Sequence, residues 1–240
     1  MTLVSIVIPA YNEENIIDIT LHRIVNVLDR TSVVKNYEII VVDNGSTDNT
    51  YKKVLQWAHK NKRIKAIRLP RKGKTLALFF GFLKSQGDIV IMMDADLYYD
   101  PWYIPVFIRN IKQGGYDVVN AWRDYKAYPA IKRILSVMYN AILRLLFRVK
   151  VHDSNSGFKA FSAPAVQRLL RNFHWFEGFH RYLIPACRLL GLRIKEVKVP
   201  LSVSKARSSR YNDLERLLEG VYCLLKFLRD IRKRRKNKGR

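Results

Sequence analysis

The stretch IVIMMDADLYYDP, residues 89–101, decides how this chain reads. Five apolar residues, 89–93, run straight into Asp94 and Asp96, and two tyrosines and a proline follow soon after. An uninterrupted apolar run of this length predicts a strand buried on both faces. Two carboxylates held close repel each other, and burial worsens the repulsion. In a strand, residues two apart point to the same face, so Asp94 and Asp96 are able to meet one ion. Hard oxygen ligands suit Mg2+ or Mn2+, whose shell is completed by substrate phosphates and water. The competing reading is a surface acidic pair at a strand end.

The same logic extends outwards. LVSIVIP, YEIIVVD and IKAIRLP are further apolar strand-like runs, separated by the helical spacings of ENIIDITLHRIVNVLDR, TDNTYKKVLQWAHK and KTLALFFGFLKSQ. Strands alternating with helices predict an α/β fold, a mostly parallel sheet with helices on both faces. Ligands of such sheets bind beyond the carboxyl ends of the strands. Three of those ends carry the polar clusters PAYNEE, DNGSTDNT and DAD. Asp43, at the second of these ends, is placed to accept hydrogen bonds from a nucleobase or ribose, whereas Ser46 and Thr47 read more simply as turn and cap residues. The second half predicts a strand at YDVVNAWR, a helix over 130–150, a short strand in DSNSGFKAFS, a helix in GFHRYLIPACRLLG, a strand in LRIKEVKVPLSV and a last helix over about 211–235.

Length and composition bound the function. The chain has 240 residues with 48% hydrophobic content, enough for a large core. Its 2 cysteines form neither a disulfide framework nor a metal spacing. No apolar run is long enough for a transmembrane helix, and the N-terminus lacks the basic region of a signal peptide. The formal net charge of +24 points to a polyanionic partner, an anionic membrane surface or nucleic acid. Nucleic-acid binding leaves Asp43, Asp94 and Asp96 unexplained, so no nucleic acid is expected.

Taken in order, SIVIPAYNEEN, YEIIVVDNGSTDNT, DIVIMMDADL and DSNSGFKAF resemble glycosyltransferase family 2 and its GT-A fold. EGFHRYLIPACRLLGLRIKEVKVPL and the basic segment after it are similar to the polyprenyl-phosphate (dolichyl-phosphate) mannosyl- and glucosyltransferase branch. The resemblance covers about residues 3–228. It implies transfer of a sugar from a nucleotide sugar, GDP-mannose ahead of UDP-glucose, to a polyprenyl or dolichyl phosphate, with inversion and a divalent metal. The alternative within the family is addition of one sugar to a lipid-linked glycan. Pro9, Ala10, Tyr11 and Glu13 would line the nucleotide pocket, with Asp43 reading the base and Asp94 and Asp96 holding the metal. Arg123 would lie near the phosphates, and Asp153, Ser156 and Gly157 near the sugar. Glu177, His180 and Arg181 match an acceptor-side element, and Lys205, Arg207 and Arg210 would clamp phosphate. Two departures stand out: Tyr98 replaces a glutamine often found two residues after the second aspartate, and KARSSRY lacks the usual loop glycine. A phosphate acceptor is already largely anionic near neutral pH, so the absence of an evident general base fits.

The expected organisation is a catalytic domain over 1–210 and an amphipathic C-terminal helix with a basic tail over 211–240. In the helix over 130–150, Ile131, Ile134, Leu135, Met138, Ile142, Leu145, Leu146 and Val149 share one face, opposite Arg133, Asn140 and Arg144. That face either packs on the protein's own core or lies in a membrane interface. The final helix repeats the pattern with Leu214, Leu217, Leu218, Val221, Leu225 and Leu228. The expected location is peripheral, on the cytoplasmic face of a membrane, attached directly or through a membrane-embedded partner subunit.

Overall fold

Apolar, β-branched runs become strands and segments of 3.6-residue spacing become helices, in the predicted alternation. The computed structural model describes residues 2–123, 130–200 and 213–238. The first half comprises β1 (Leu3–Ala10), α1 (Ile17–Arg30), β2 (Asn36–Asp43), α2 (Thr50–Lys60), β3 (Ile64–Arg68), α3 (Lys74–Lys84) and β4 (Ile89–Met93). The second comprises α4 (Ile104–Lys112), β5 (Val118–Arg123), α5 (Ala130–Phe147), β6 (Phe158–Ser162), α6 (Ala163–Asn172), α7 (Leu183–Leu189), β7 (Ile194–Val199) and α8 (Asp213–Lys238). Short 3-10 turns at Pro101–Tyr103 and Phe179–Tyr182 lead into α4 and α7.

The strands form one seven-stranded sheet in the order β3-β2-β1-β4-β6-β5-β7. All pairings are parallel except those of β6, which runs antiparallel to both β4 and β5. The chain winds outwards from β1 through β2 to β3, then returns to place β4 on the other side of β1. This reversal makes the carboxyl ends of β1 and β4 the topological switch point, where doubly wound sheets bind ligands. Because β6 is reversed, its beginning reaches that same edge, with Phe158 opposite Met93.

Strand alternation supplies both faces of the sheet. Val4, Ile6, Ile8, Ile91 and Met93 pack against Ile17, Leu21 and Ile24 of α1 and Ile104, Phe107 and Ile108 of α4. Val7, Val90 and Met92 face Leu78 and Phe82 of α3, with α6, α7, Leu143 and Phe147 of α5, and Cys223 and Phe227 of α8 beyond them. The approach of α3 to β1 requires Gly81, since a Cβ there would meet Val7 Cγ1 at 2.2 Å.

Several boundaries depart from the sequence expectation. Helix α5 stops at Phe147, where Arg148 adopts a left-handed φ of 51°. The helix predicted in GFHRYLIPACRLLG divides into the 3-10 turn and the short α7. Helices α4 and α6 were not read from the pattern at all. Of the two readings open for the apolar stripe of α5, burial excludes packing on the protein's own core. That stripe does not face the core: Ile131, Ile134, Met138, Ile142, Leu145 and Leu146 are exposed, Leu145 at 82%. The buried seam is the opposite side, Asn140, Leu143 and Phe147, with Asn140 Oδ1 accepting from Ser154 N–H at 2.8 Å. Val149 is buried but lies past the helix end. On α8, Val221 and Leu225 of the expected apolar face are likewise exposed, while Cys223 and Phe227 are buried. Among the described residues, no helix is long and apolar enough to cross a membrane.

Candidate active site

The ends of β1 and β2 are in register, Ala10 beside Asp43, so the loops that follow meet. They are laced together. Asn12 N–H donates to Ser46 Oγ at 3.0 Å, Thr47 N–H to Asn12 Oδ1 at 2.9 Å, and Glu13 N–H to Thr50 Oγ1 at 2.8 Å. Asn12 holds a left-handed φ of 54°, a conformation that asparagine tolerates better than most residues. Pro9 and Ala10 are buried beneath this lacing, and the Tyr11 ring lies 4.6 Å from the Lys72 ammonium. Ser46 and Thr47 thus tie the two loops together, but neither caps α2, whose N-cap position is Asn49.

Asp43 differs. It is fully buried, and its Oδ2 lies 3.4 Å from Ser46 N–H and 3.5 Å from Arg68 Nε. Its Oδ1 has no hydrogen-bond partner among the described residues. A buried carboxylate oxygen left unpaired costs on the order of 1–3 kcal/mol or more, which a ligand donor would offset.

Asp94 and Asp96 follow β4 as predicted. Asp94 Oδ1 lies 2.6 Å from the Lys74 ammonium at the start of α3. Desolvation, followed by the charge of Asp94, pushes the Asp96 carboxyl up to about 6; Tyr98 N–H, bonded to Asp96 Oδ1 at 3.1 Å, and the Lys74 charge act against this. Gly157 seals the other side of Asp94: a Cβ at Gly157 would stand 2.1 Å from Asp94 Oδ2. Here glycine is required by contact distance. Among the described residues, no three His, Cys, Asp or Glu side chains form a ready metal cage. Two carboxylates one residue apart at the strand end still fit a divalent ion whose remaining ligands are phosphate and water.

Gly157 belongs to the loop before β6. Tyr99, whose hydroxyl burial holds it firmly protonated, accepts from Gly157 N–H at 3.0 Å and lies 3.1 Å from Ser156 Oγ. At the end of β5, the Arg123 guanidinium grips the fully buried Asp153 with two bonds, Nη2 to Oδ1 at 2.8 Å and Nε to Oδ2 at 2.5 Å. Arg123 and Asp153, assigned from the sequence to different groups of the substrate, are therefore one ion pair. Lys159 lies under this loop, fully buried, and donates to the Ser156 carbonyl. Burial drives its ammonium down to about 7.

The expected acceptor-side residues pack against the start of α3. Glu177 Oε1 accepts from Thr75 N–H at 3.4 Å, and Thr75 Oγ1 accepts from Gly178 N–H at 3.0 Å and lies 2.9 Å from His180 Nδ1. Desolvation, with Lys74 and Arg181 nearby, holds His180 well below its ordinary range and therefore neutral. Arg181 reaches Glu219 of α8 at 2.8 Å. Lys205, Arg207, Arg210 and the glycine-free loop lie outside the described residues.

The sequence reading missed Lys74, Thr75 and Lys159. Two of them carried a signal. A lysine in the first turn of a helix opposes the helix dipole, and a lysine inside an apolar strand is rarely buried without cause.

Residues 5–170 match the family model described as glycosyl transferase family 2. The dolichol-phosphate mannosyltransferase of Pyrococcus furiosus is 32% identical over 241 residues, covering 95% of this chain and 65% of the relative. An undecaprenyl-phosphate 4-deoxy-4-formamido-L-arabinose transferase of Pseudomonas paraeruginosa is 34% identical over 170 residues, 70% of this chain and 49% of the relative. The chain spans about half the length of most of the curated relatives it matches. Among solved structures, glucosyl-3-phosphoglycerate synthase from Mycobacterium tuberculosis with phosphoglyceric acid superposes with a TM-score of 0.67 at 26% identity, over 90% of this chain and 75% of that one. The same enzyme with Mn2+ and uridine-diphosphate-glucose gives 0.68 at 23% identity, over 95% and 78%, a likeness of fold alone. With the GT-A sheet and its carboxylate-bearing edge, this match over most of the chain makes the protein a member of glycosyl transferase family 2.

Proposed function

We propose that this chain transfers one sugar from a nucleoside-diphosphate donor to a polyprenyl or dolichyl phosphate at a membrane surface, with inversion. GDP-mannose is the preferred donor and UDP-glucose the alternative; the mannosyltransferase relative, matched across 95% of this chain, supports that order. The observation that carries the proposal is the convergence of Asp43, Asp94 and Asp96 on one sheet edge, with a buried oxygen of Asp43 unpaired.

In this reading, Asp43 Oδ1 accepts a hydrogen bond from the base or ribose, and the loops of Pro9, Ala10, Tyr11 and Glu13 wall the nucleotide. Asp94 and Asp96 hold a Mg2+ or Mn2+ ion. When bound, that ion offsets the charge that grows on the diphosphate as the glycosidic bond breaks. The Arg123–Asp153 pair fixes the guanidinium beside the reaction centre, and Ser156 and Gly157, held by Tyr99, shape the sugar side. His180, bonded to Thr75 and lowered in basicity by burial, is a positioning residue and not a base. With Glu177 it holds the start of α3, and the acceptor's own phosphate supplies the nucleophile. Arg181, Lys205, Arg207 and Arg210 face the acceptor.

Residues 1–210 form the catalytic unit, and 211–240 with α5 form the attachment surface on the cytoplasmic side. The exposed apolar stripe of α5, with exposed Arg133 beside it and Lys226, Arg229, Arg232 and Lys233 on α8, suits an anionic lipid surface. A donor screen with GDP- and UDP-sugars, Mn2+ and a short polyprenyl phosphate tests the chemistry. Asp43→Ala should raise the donor KM by about tenfold or more while the protein stays folded, because one charge-assisted hydrogen bond is lost. The absence of turnover with every nucleotide sugar would overturn the proposal.

A further inference from the structure

Lys74 is the first residue of α3, where a cation is disfavoured by the helix dipole, yet its ammonium sits 2.6 Å from Asp94 Oδ1. Its backbone is fixed on both sides. Gly73 N–H donates to Asn44 Oδ1 at 2.6 Å, and Thr75 is held by Glu177, Gly178 and His180. Only the side chain is free to move, and at 36% exposure it has room to do so. The cleft it enters is acidic, since the charges of Asp94 and Glu13 both act on Asp96.

We propose that Lys74 is a positioning residue that serves as an exchangeable internal counter-ion, holding Asp94 when no metal is bound and yielding that oxygen to a divalent cation. This rests on the metal reading above. An ammonium and a divalent ion on the same carboxylate oxygen repel strongly, so Lys74 must swing from Asp94 as the ion arrives. From the start of α3, its displaced ammonium reaches into the cleft assigned to the donor diphosphate, where a lysine is a good point-charge partner. The exchange keeps Asp94 ordered and neutralised in the empty enzyme. It also makes the free enzyme a weak metal binder, so that metal and donor bind as a pair.

The test is a Mn2+ titration followed by electron paramagnetic resonance, without nucleotide, on the wild type, Lys74→Met and Lys74→Arg. Removing the competing cation should tighten Mn2+ binding roughly tenfold in Lys74→Met, from the size of a lost charge–charge repulsion at the cleft surface. Lys74→Arg, which keeps the cation, should bind as weakly as the wild type. In EDTA, Lys74→Met should melt at a lower temperature, and Mn2+ should restore it. With nucleoside diphosphate present, the order should reverse, Lys74→Met binding the nucleotide more weakly. Should Lys74→Met fail to fold, Lys74→Gln carries the same expectation. Mn2+ binding no tighter in the folded variant than in the wild type would overturn the counter-ion role and leave the metal reading standing. A wild type that binds no Mn2+, with or without nucleotide, would overturn both.

Discussion

Replacing Lys159 by methionine removes a cation that the fold keeps in an apolar setting. Lys159 is fully buried in β6, and its ammonium, bonded to the Ser156 carbonyl, is driven from an ordinary 10.5 to about 7, chiefly by desolvation and against the opposing charge of Asp153. The sign follows from proton counting. Below pH 7, folded and unfolded states both carry the proton, and the folded state bears the full penalty of a buried charge. Between pH 7 and 10.5, the unfolded lysine stays protonated while the folded one releases its proton, so stability rises with pH. At about 1.4 kcal/mol per pH unit, the penalty below pH 7 is on the order of 5 kcal/mol. From pH 7 to 9, the wild type should therefore gain about 2–3 kcal/mol that the Lys159→Met variant does not. The lost bond to Ser156 adds a roughly constant offset, which cancels when the comparison is made across pH. Urea unfolding of both proteins at pH 6, 7, 8 and 9, followed by circular dichroism, measures the difference directly. A stability gap that stays flat across this range would refute the reasoning, because it would mean the lysine is not held as a strained buried cation.

Asp94→Asn and Asp96→Asn should each lower transfer by about a hundredfold or more without unfolding the protein, as expected on loss of one anionic metal ligand; near-normal rates without divalent dependence in both would sink the metal reading. Gly157→Ala forces a methyl to 2.1 Å from Asp94 Oδ2, so transfer should fall by at least about tenfold with a small stability loss, read from kinetics and melting curves together. Leu145→Asp, at the most exposed point of the α5 stripe, should weaken sedimentation with anionic vesicles while leaving transfer to a short soluble acceptor unchanged. Deleting residues 231–240 should do the same, with high salt mimicking the deletion through screening; vesicle binding unaffected by either change would move attachment to another surface or a partner subunit.

Much of the site was legible because its residues sit at predictable places. An apolar run fixes where β4 ends, and the end of a parallel strand fixes which edge its carboxylates occupy, so Asp43, Asp94 and Asp96 were placed at one sheet edge without coordinates. The α5 stripe shows the limit. Helical periodicity identifies an apolar face but not what it meets. Of the two readings left open, core packing and a membrane interface, the first fails here, because the narrower seam of Asn140, Leu143 and Phe147 makes the tertiary contact. Helices α4 and α6 escaped notice although their buried residues follow helical spacing, Ile104, Phe107, Ile108 and Ile111 in one and Ala165, Val166 and Leu169 in the other.

Sequence by itself determined the alternation of strands and helices, the parallel sheet and the three polar strand ends, since all of these follow from local pattern and strand periodicity. Only the tertiary structure decided the partnerships, because these join residues far apart in the chain. The reversed β6 brings Gly157 against Asp94, and α3 delivers Lys74 to the same carboxylate. Thr75 is tied to His180 across 105 positions, and Arg123 to Asp153 across 30. No local propensity encodes such contacts. They exist because the sheet order folds distant loops onto one edge, where buried charges must find partners or keep a place for a ligand.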